Sequence, residues 1–162
     1  MTTIAYRDKT LAADSKISDY DSMSATYMRK IFKITVSEYN KQSETLNDNS
    51  YLVGIVGDMY AGLRFIKWLQ TKNEGDKEFL QGLTDDYFFE AITINEDGEV
   101  DLYNNFLEPL RLGKTNFYAL GSGSKIAMAL LDYGASLEDT IKYAKKYDMN
   151  TGGDTHIVSF NS

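Results

Sequence analysis

Apolar and polar residues alternate from Thr3 to Arg7, break at Asp8-Lys9, and give way to the short apolar run Leu11-Ala12-Ala13. That pattern predicts a strand, a tight turn and a returning strand at the start of the chain. Ser15 to Tyr27 is rich in Ser, Asp and Met and predicts an exposed loop. Lys30 to Val36 alternates again, as a half-buried strand does. Ser37 to Ser50 is almost wholly polar, with Asn47-Asp48-Asn49 as a turn signal, and predicts a loop or flap. Tyr51 to Val56 is a short apolar run ending at Gly57, suited to a strand buried on both faces. Asp58 can cap the next segment, where Met59, Leu63, Ile66 and Leu69 or Gln70 form one stripe of an amphipathic helix.

Lys72 to Thr84 is polar, broken by Gly75 and Gly82, and predicts no element. Tyr87–Ile94 and Val100–Tyr103 read as strands joined across Asn95-Glu-Asp-Gly98, an Asp-Gly hairpin signal. Phe106 to Leu112 holds the sole proline, Pro109, and predicts an irregular connection. Phe117 to Leu120 is a further strand running into Gly121-Ser-Gly-Ser124. Lys125 to Tyr133 predicts a helix closed by Gly134, and Ser136 opens another reaching about Tyr147, with Asp139 in an imperfect capping box. Thr155 to Phe160 is the last predicted strand. Strands and helices are grouped rather than alternating, which favours an α+β arrangement of stacked antiparallel sheets covered by helices. No repeat or linker divides residues 1–162, so one domain is expected.

Composition narrows the chemistry. Hydrophobic residues make up 43% of 162 positions and aromatics 13%, enough for a packed core. A formal net charge of −7 argues against a nucleic-acid-binding domain. There is no cysteine and one histidine, His156, which removes thiol catalysis and leaves no histidine triad or metal cluster to build. No metal-ligand cluster is present, and the amine and hydroxyl chemistry that remains needs no metal or organic cofactor. Without an apolar stretch long enough to span a bilayer, and without a signal-peptide core, a soluble cytoplasmic protein is expected. Any enzyme chemistry must use amines, hydroxyls and carboxylates.

The start of the chain supplies the first two. Met1 precedes Thr2-Thr3, and methionine is normally trimmed before so small a residue. Trimming exposes an α-amine, a group that ordinarily titrates at about 7.7–8.0, beside the Thr2 hydroxyl. A threonine paired with its own amine is an activated nucleophile. An edge hairpin carrying threonines for strand propensity is the alternative reading of this stretch alone.

The fragments Thr2-Thr3-Ile4, Ala12-Ala13-Asp14-Ser15, Lys30-Ile31, Gly54-Ile-Val-Gly57, Gly121-Ser122-Gly123-Ser124 and Tyr147-Asp148-Met-Asn-Thr151-Gly152-Gly153 occur in one order along nearly the whole chain. In that order the sequence resembles the proteasome β-subunit and HslV family of N-terminal-nucleophile hydrolases. The resemblance implies a four-layer αββα sandwich and a threonine-type peptidase or amidohydrolase. It implies Thr2 as nucleophile, Lys30 as the cation beside it held charged by Asp14, and the Gly57 amide as oxyanion donor. Ser122, Asp148 and Thr151 take the places that orient the amine and pass protons, and Ile55 the place lining the specificity pocket. Neither Thr2 nor Lys30 is expected to carry core packing. Peptide or unfolded-protein substrates, a homo-oligomer and an ATP-dependent unfoldase partner are implied, with no nucleic acid and no membrane.

The chain departs from the family pattern in a short hairpin between Thr2 and Asp14, a long Ser37–Ser50 segment, a compressed Lys72–Thr84 region and Tyr147 in place of an arginine. The competing class is a catalytically silent protein on the same scaffold, a bacterial or phage protein that holds a small ligand or a protein partner or serves as an assembly component.

Overall fold

A computed structural model describes residues 2–18 and 25–161. The opening hairpin forms as β1 (Thr3–Arg7) and β2 (Thr10–Ala13), with Asp8 and Lys9 both at positive φ in the turn. Two open-edged strands cannot bury their faces alone. β10 (Phe117–Gly121) pairs antiparallel with β1, and β11 (His156–Ser159) pairs antiparallel with β2, giving the sheet order β10-β1-β2-β11. A second sheet runs β5 (Ile31–Asn40), β6 (Thr45–Gly57), β7 (Phe89–Asn95), β8 (Glu99–Tyr103) and β9 (Leu110–Lys114), antiparallel throughout.

Side-chain alternation sorts the layers. Ile4, Tyr6, Leu11, Ala13, Leu120 and Val158 of the first sheet meet Ile31, Leu52, Val56, Ile92 and Ile94 of the second in one buried core. The opposite face of the first sheet presents Ala5, Ala12 and Ala119, and these small residues let Ala127 and Leu131 of α3 (Ser124–Tyr133) and Ile141 of α4 (Leu137–Tyr147) approach closely. The outer face of the second sheet, with Val53, Ile55, Phe89 and Ala91, is covered by Met59, Phe65 and Leu69 of α1 (Met59–Thr71) and Leu80 of α2 (Glu74–Gln81). The result is the expected four-layer αββα sandwich. No helix is long and apolar enough to cross a membrane among the described residues.

Four segments differ from the sequence expectation. Ser37–Ser50 is not a loop: it continues β5 and β6 as a hairpin arm whose last pairs, Thr35–Ser50 to Asn40–Thr45, lie beyond the end of β7. Past Val36, which stays buried, the side chains of the arm are open to solvent from Ser37 to Asp48, so no apolar alternation marks it. The Lys72–Thr84 region holds α2, whose only large apolar residues are Phe79 and Leu80 and whose start is set by the Asn73 side chain accepting from the Asp76 amide at 3.1 Å. Leu110–Lys114, following Pro109, is the edge strand β9 rather than an irregular connection. Within Ser15–Tyr27, Lys16–Ser18 (β3) and Ala25–Tyr27 (β4) pair as a short ribbon.

Candidate active site

Alternation along β1 decides where the first two threonines go. Ile4 and Tyr6 point between the sheets, Ala5 toward α3 and α4. Thr2 continues the inner row and Thr3 the outer one. Asp14 follows β2 directly, and the hairpin register Ile4↔Ala13 carries it alongside the start of β1. Lys30 precedes β5, its carbonyl fixed by the Ile55 amide at 2.9 Å. Three elements thus deliver Thr2, Asp14 and Lys30 to one end of the sandwich, and each is at most 2% exposed.

The contacts are direct. Lys30 Nζ donates to Thr2 Oγ1 at 2.5 Å and to Asp14 Oδ1 at 3.1 Å, and also to the Lys16 carbonyl. Thr2 Oγ1 donates to Asp14 Oδ1. The Thr3 amide reaches the same oxygen at 3.1 Å, and the Gly152 amide reaches Asp14 Oδ2 at 2.9 Å. A buried carboxylate with this many donors is well satisfied. Lys30 is less comfortable. Burial lowers its pKa from the ordinary lysine value, and the attraction and hydrogen bond of Asp14 oppose that shift without cancelling it. Asp14 favours the charged ammonium, while desolvation, the larger influence, acts against it.

A second network adjoins the first. Asp148 Oδ2 accepts from Ser122 Oγ and from Thr151 Oγ1, both at 2.6 Å. Thr151 Oγ1 is 2.7 Å from Thr3 Oγ1, and Ser122 Oγ donates to the Thr2 carbonyl at 3.5 Å. Burial pushes the Asp148 pKa up, but the hydroxyls of Ser122 and Thr151 and the Asn150 amide outweigh it and leave the carboxyl below its ordinary 3.8. The stability this contributes is complete above that ordinary value and is lost as pH falls through the lower folded-state value. Asp148→Asn should therefore lower stability at neutral pH, with the difference from wild type closing in strong acid, as urea unfolding across pH would record.

Gly121 packs against Thr2 from the other side. It pairs with Thr3 at φ 97°, and a Cβ there would collide with the Thr2 carbonyl. Gly121→Ala combines a strained φ with displacement of Thr2. Expected is a loss of turnover of about 10²-fold or more, the scale of a misplacement near 1 Å, checked by steady-state kinetics.

Of the residues singled out in the sequence, Thr2, Asp14 and Lys30 form one contact set, and Ser122, Asp148 and Thr151 form the other. Gly57 ends β6 at φ 94°, two residues beyond Ile55, and no hydrogen bond ties it to either set. Its own Cβ position is closed by the Phe88 carbonyl, which is reason enough for glycine there. Ile55 is fully buried beneath α1, where a Cβ on Gly62 would strike it, and does not line an open pocket. Met1, on which the trimming expectation turns, lies outside the described residues.

Sequence reasoning missed Thr3, whose hydroxyl and amide join the two networks, and Lys16. Lys16 lends its carbonyl to Lys30, while its ammonium donates to the Met149 carbonyl at 2.9 Å. Strand alternation could have separated the roles of Thr2 and Thr3. Nothing in the local sequence marks a backbone carbonyl such as that of Lys16. Among the described residues no group of three or more His, Asp or Glu side chains is placed to hold a metal ion.

No family model matches the sequence, and no curated protein matches it. Solved structures do. Anbu (ancestral beta-subunit) from Yersinia bercovieri superposes with a TM-score of 0.67 at 11% identity, over 99% of this chain and 81% of that one. BPH from Thiobacillus denitrificans gives 0.62 at 14% identity over 98% and 97%. Eukaryotic HslV from Trypanosoma brucei gives 0.60 at 12% identity over 98% of both chains. The fold is that of the proteasome-like N-terminal-nucleophile hydrolases.

Proposed function

We propose that the protein is a threonine-type hydrolase of peptide or unfolded-protein substrates, acting through Thr2 once Met1 has been removed. The observation that carries this reading is the burial of the Thr2 hydroxyl between the Lys30 ammonium and the Asp14 carboxylate. A structural threonine does not need a desolvated lysine against its Oγ, and such clusters concentrate at functional sites.

In the proposed reaction Thr2 Oγ attacks the substrate carbonyl carbon and its proton passes to the freed α-amine, which is basic near neutral pH. Lys30 stabilises negative charge on Oγ as the hydroxyl proton leaves. The Gly57 amide receives the carbonyl oxygen as it becomes an oxyanion, a contact typically contributing about 2.7–4 kcal/mol. Collapse breaks the C–N bond, the leaving amine takes the proton, and an ester to Thr2 remains. Water then hydrolyses the ester by the same steps in reverse. Ser122, Asp148 and Thr151 orient the amine through the hydrogen bonds they make around the Thr2 carbonyl and Thr3 hydroxyl.

Self-association is proposed as well, supported by likeness in fold to the helical assembly of the Anbu complex from Pseudomonas aeruginosa, which has a TM-score of 0.60 at 14% identity. The test of the activity is turnover of a broad panel of small acyl-peptide reporters by protein whose N-terminus is Thr2. The structure of T. denitrificans BPH in complex with epoxomicin supports using that compound as a probe of the same site. Folded, trimmed protein that turns over no reporter would assign the cleft to binding instead.

A further inference from the structure

The two edges of the five-stranded sheet are built differently. β9 is five residues long, meets β8 through a register shift at Val100/Asp101, contains Gly113 at φ 68°, and carries Arg111 and Lys114. Shortness, irregularity and charge are the devices that keep a strand edge from pairing with another chain. β5 is ten residues long, IFKITVSEYN, with no proline, no glycine and no register shift against β6.

The main-chain groups along that edge can be assigned. The Ile55 amide bonds the Lys30 carbonyl, so by antiparallel alternation the even residues of β5 bond to β6 and the odd residues face outward. The Thr35 carbonyl agrees, because it accepts from Gln70 Nε2 at 3.2 Å on the outer side. Beyond it Ser37 and Tyr39 are exposed, and among the described residues no main-chain partner covers their outward N–H and C=O.

The charges that would guard this edge are tied up within the chain. Glu38 accepts from Asn49 Nδ2 at 2.8 Å and from the Tyr51 hydroxyl at 3.0 Å on its own hairpin, while Lys33 donates to the Phe160 carbonyl at 2.7 Å. Tyr39 and its cross-strand neighbour Leu46 stay 61% and 71% exposed beside the open edge.

We propose that this edge is a homotypic interface: β5 of one copy pairs antiparallel with β5 of a second copy about a two-fold axis through Ser37. An antiparallel edge is self-complementary, so the second copy needs no feature that the first lacks. With Ser37 opposite Ser37, Tyr39 lies across from Thr35, a favourable aromatic–β-branched pair. Lys41, just past the end of β5, would fall opposite Lys33, so the pairing is confined to residues 34–40, with Lys33 held aside by the Phe160 carbonyl. The Thr35 carbonyl exchanges Gln70 for the Tyr39 amide of the second copy. This deepens the proposed self-association by naming its surface, and it is independent of the hydrolase reading.

The chain has no cysteine, so Ser37→Cys introduces a single thiol. A hydrogen-bonded antiparallel pair sets Cα atoms about 5.5 Å apart, inside the roughly 4.4–6.8 Å that a disulfide spans. Mild oxidation should convert Ser37→Cys to a covalent dimer, while Asn47→Cys, exposed on β6 away from the edge, should stay uncrosslinked at the same concentration. Ser37→Pro removes the outward N–H without touching the β5–β6 ladder. It should weaken self-association about tenfold or more, for two lost main-chain hydrogen bonds, with the far-ultraviolet circular dichroism of the wild type. If the wild type assembles while Ser37→Cys crosslinks no better than Asn47→Cys, the β5 edge is not the interface, and self-association through another surface survives. A wild type that sediments as a monomer at 100 μM overturns both.

Discussion

Thr2→Ala, in protein freed of Met1, should lose turnover on the order of 10⁶-fold, the loss recorded when a protease nucleophile is deleted. Its fold should survive. The substitution removes one hydroxyl and one methyl from a buried cluster in which Asp14 keeps the Lys30 ammonium and the Thr3 and Gly152 amides, so the cost is about 2 kcal/mol, a hydrogen bond and a buried methyl together. Thr2→Ser retains both hydroxyl and amine and should keep part of the activity. Steady-state kinetics beside urea unfolding separates the two effects. Equal turnover in wild type and Thr2→Ala would place the chemistry elsewhere.

Lys30→Ala should fail twice over. It removes the cation against Thr2 Oγ, a loss of about 10²–10³-fold if it stabilises developing charge as an oxyanion donor does. It also strands Asp14, which is fully buried. Breaking a buried ion pair by deleting one partner costs about 3–5 kcal/mol. Sequence reasoning expects Lys30 to be dispensable for folding, and its burial corrects that. The double variant Lys30→Met with Asp14→Asn removes both charges and should regain most of the stability while staying inactive. Recovery of activity along with stability would show that Lys30 acts only as a structural partner.

The parts of this molecule that were legible in its sequence are those where one face of an element is buried. β1, β2, β7, β10, α3 and α4 each carry a period that their packing imposes, and the stacking of antiparallel sheets under helices follows from their grouping. α1 forms where expected, but its buried face is Met59, Ala61, Gly62, Phe65 and Leu69, and Leu63 of the expected stripe is exposed, because small residues set the close approach to the sheet. The β5–β6 arm and the β3–β4 ribbon were not legible, because pairing there is carried by main-chain groups and no sustained apolar alternation accompanies it. Helix α2 buries too few apolar residues to show a stripe, and its Asn73 cap is a weak signal on its own. In the site, Thr2 was a candidate from the chain start itself, whereas Asp14 and Lys30 came from the resemblance. The short hairpin does not shift Asp14 out of register: the Ile4↔Ala13 pairing sets it beside Thr2. The packing of Ile55 under Gly62 depends on the path of α1 over the sheet, which strand alternation alone does not specify.

The central claim is that Thr2 is a nucleophile, and intact-mass measurement after treatment with a threonine-directed electrophile tests it most directly. Protein beginning at Thr2 should gain one adduct per chain, mapped by fragmentation to the terminal residue, and Thr2→Ala should gain none. Trimmed, folded protein that stays unmodified, or that carries the adduct on another residue, would contradict the account.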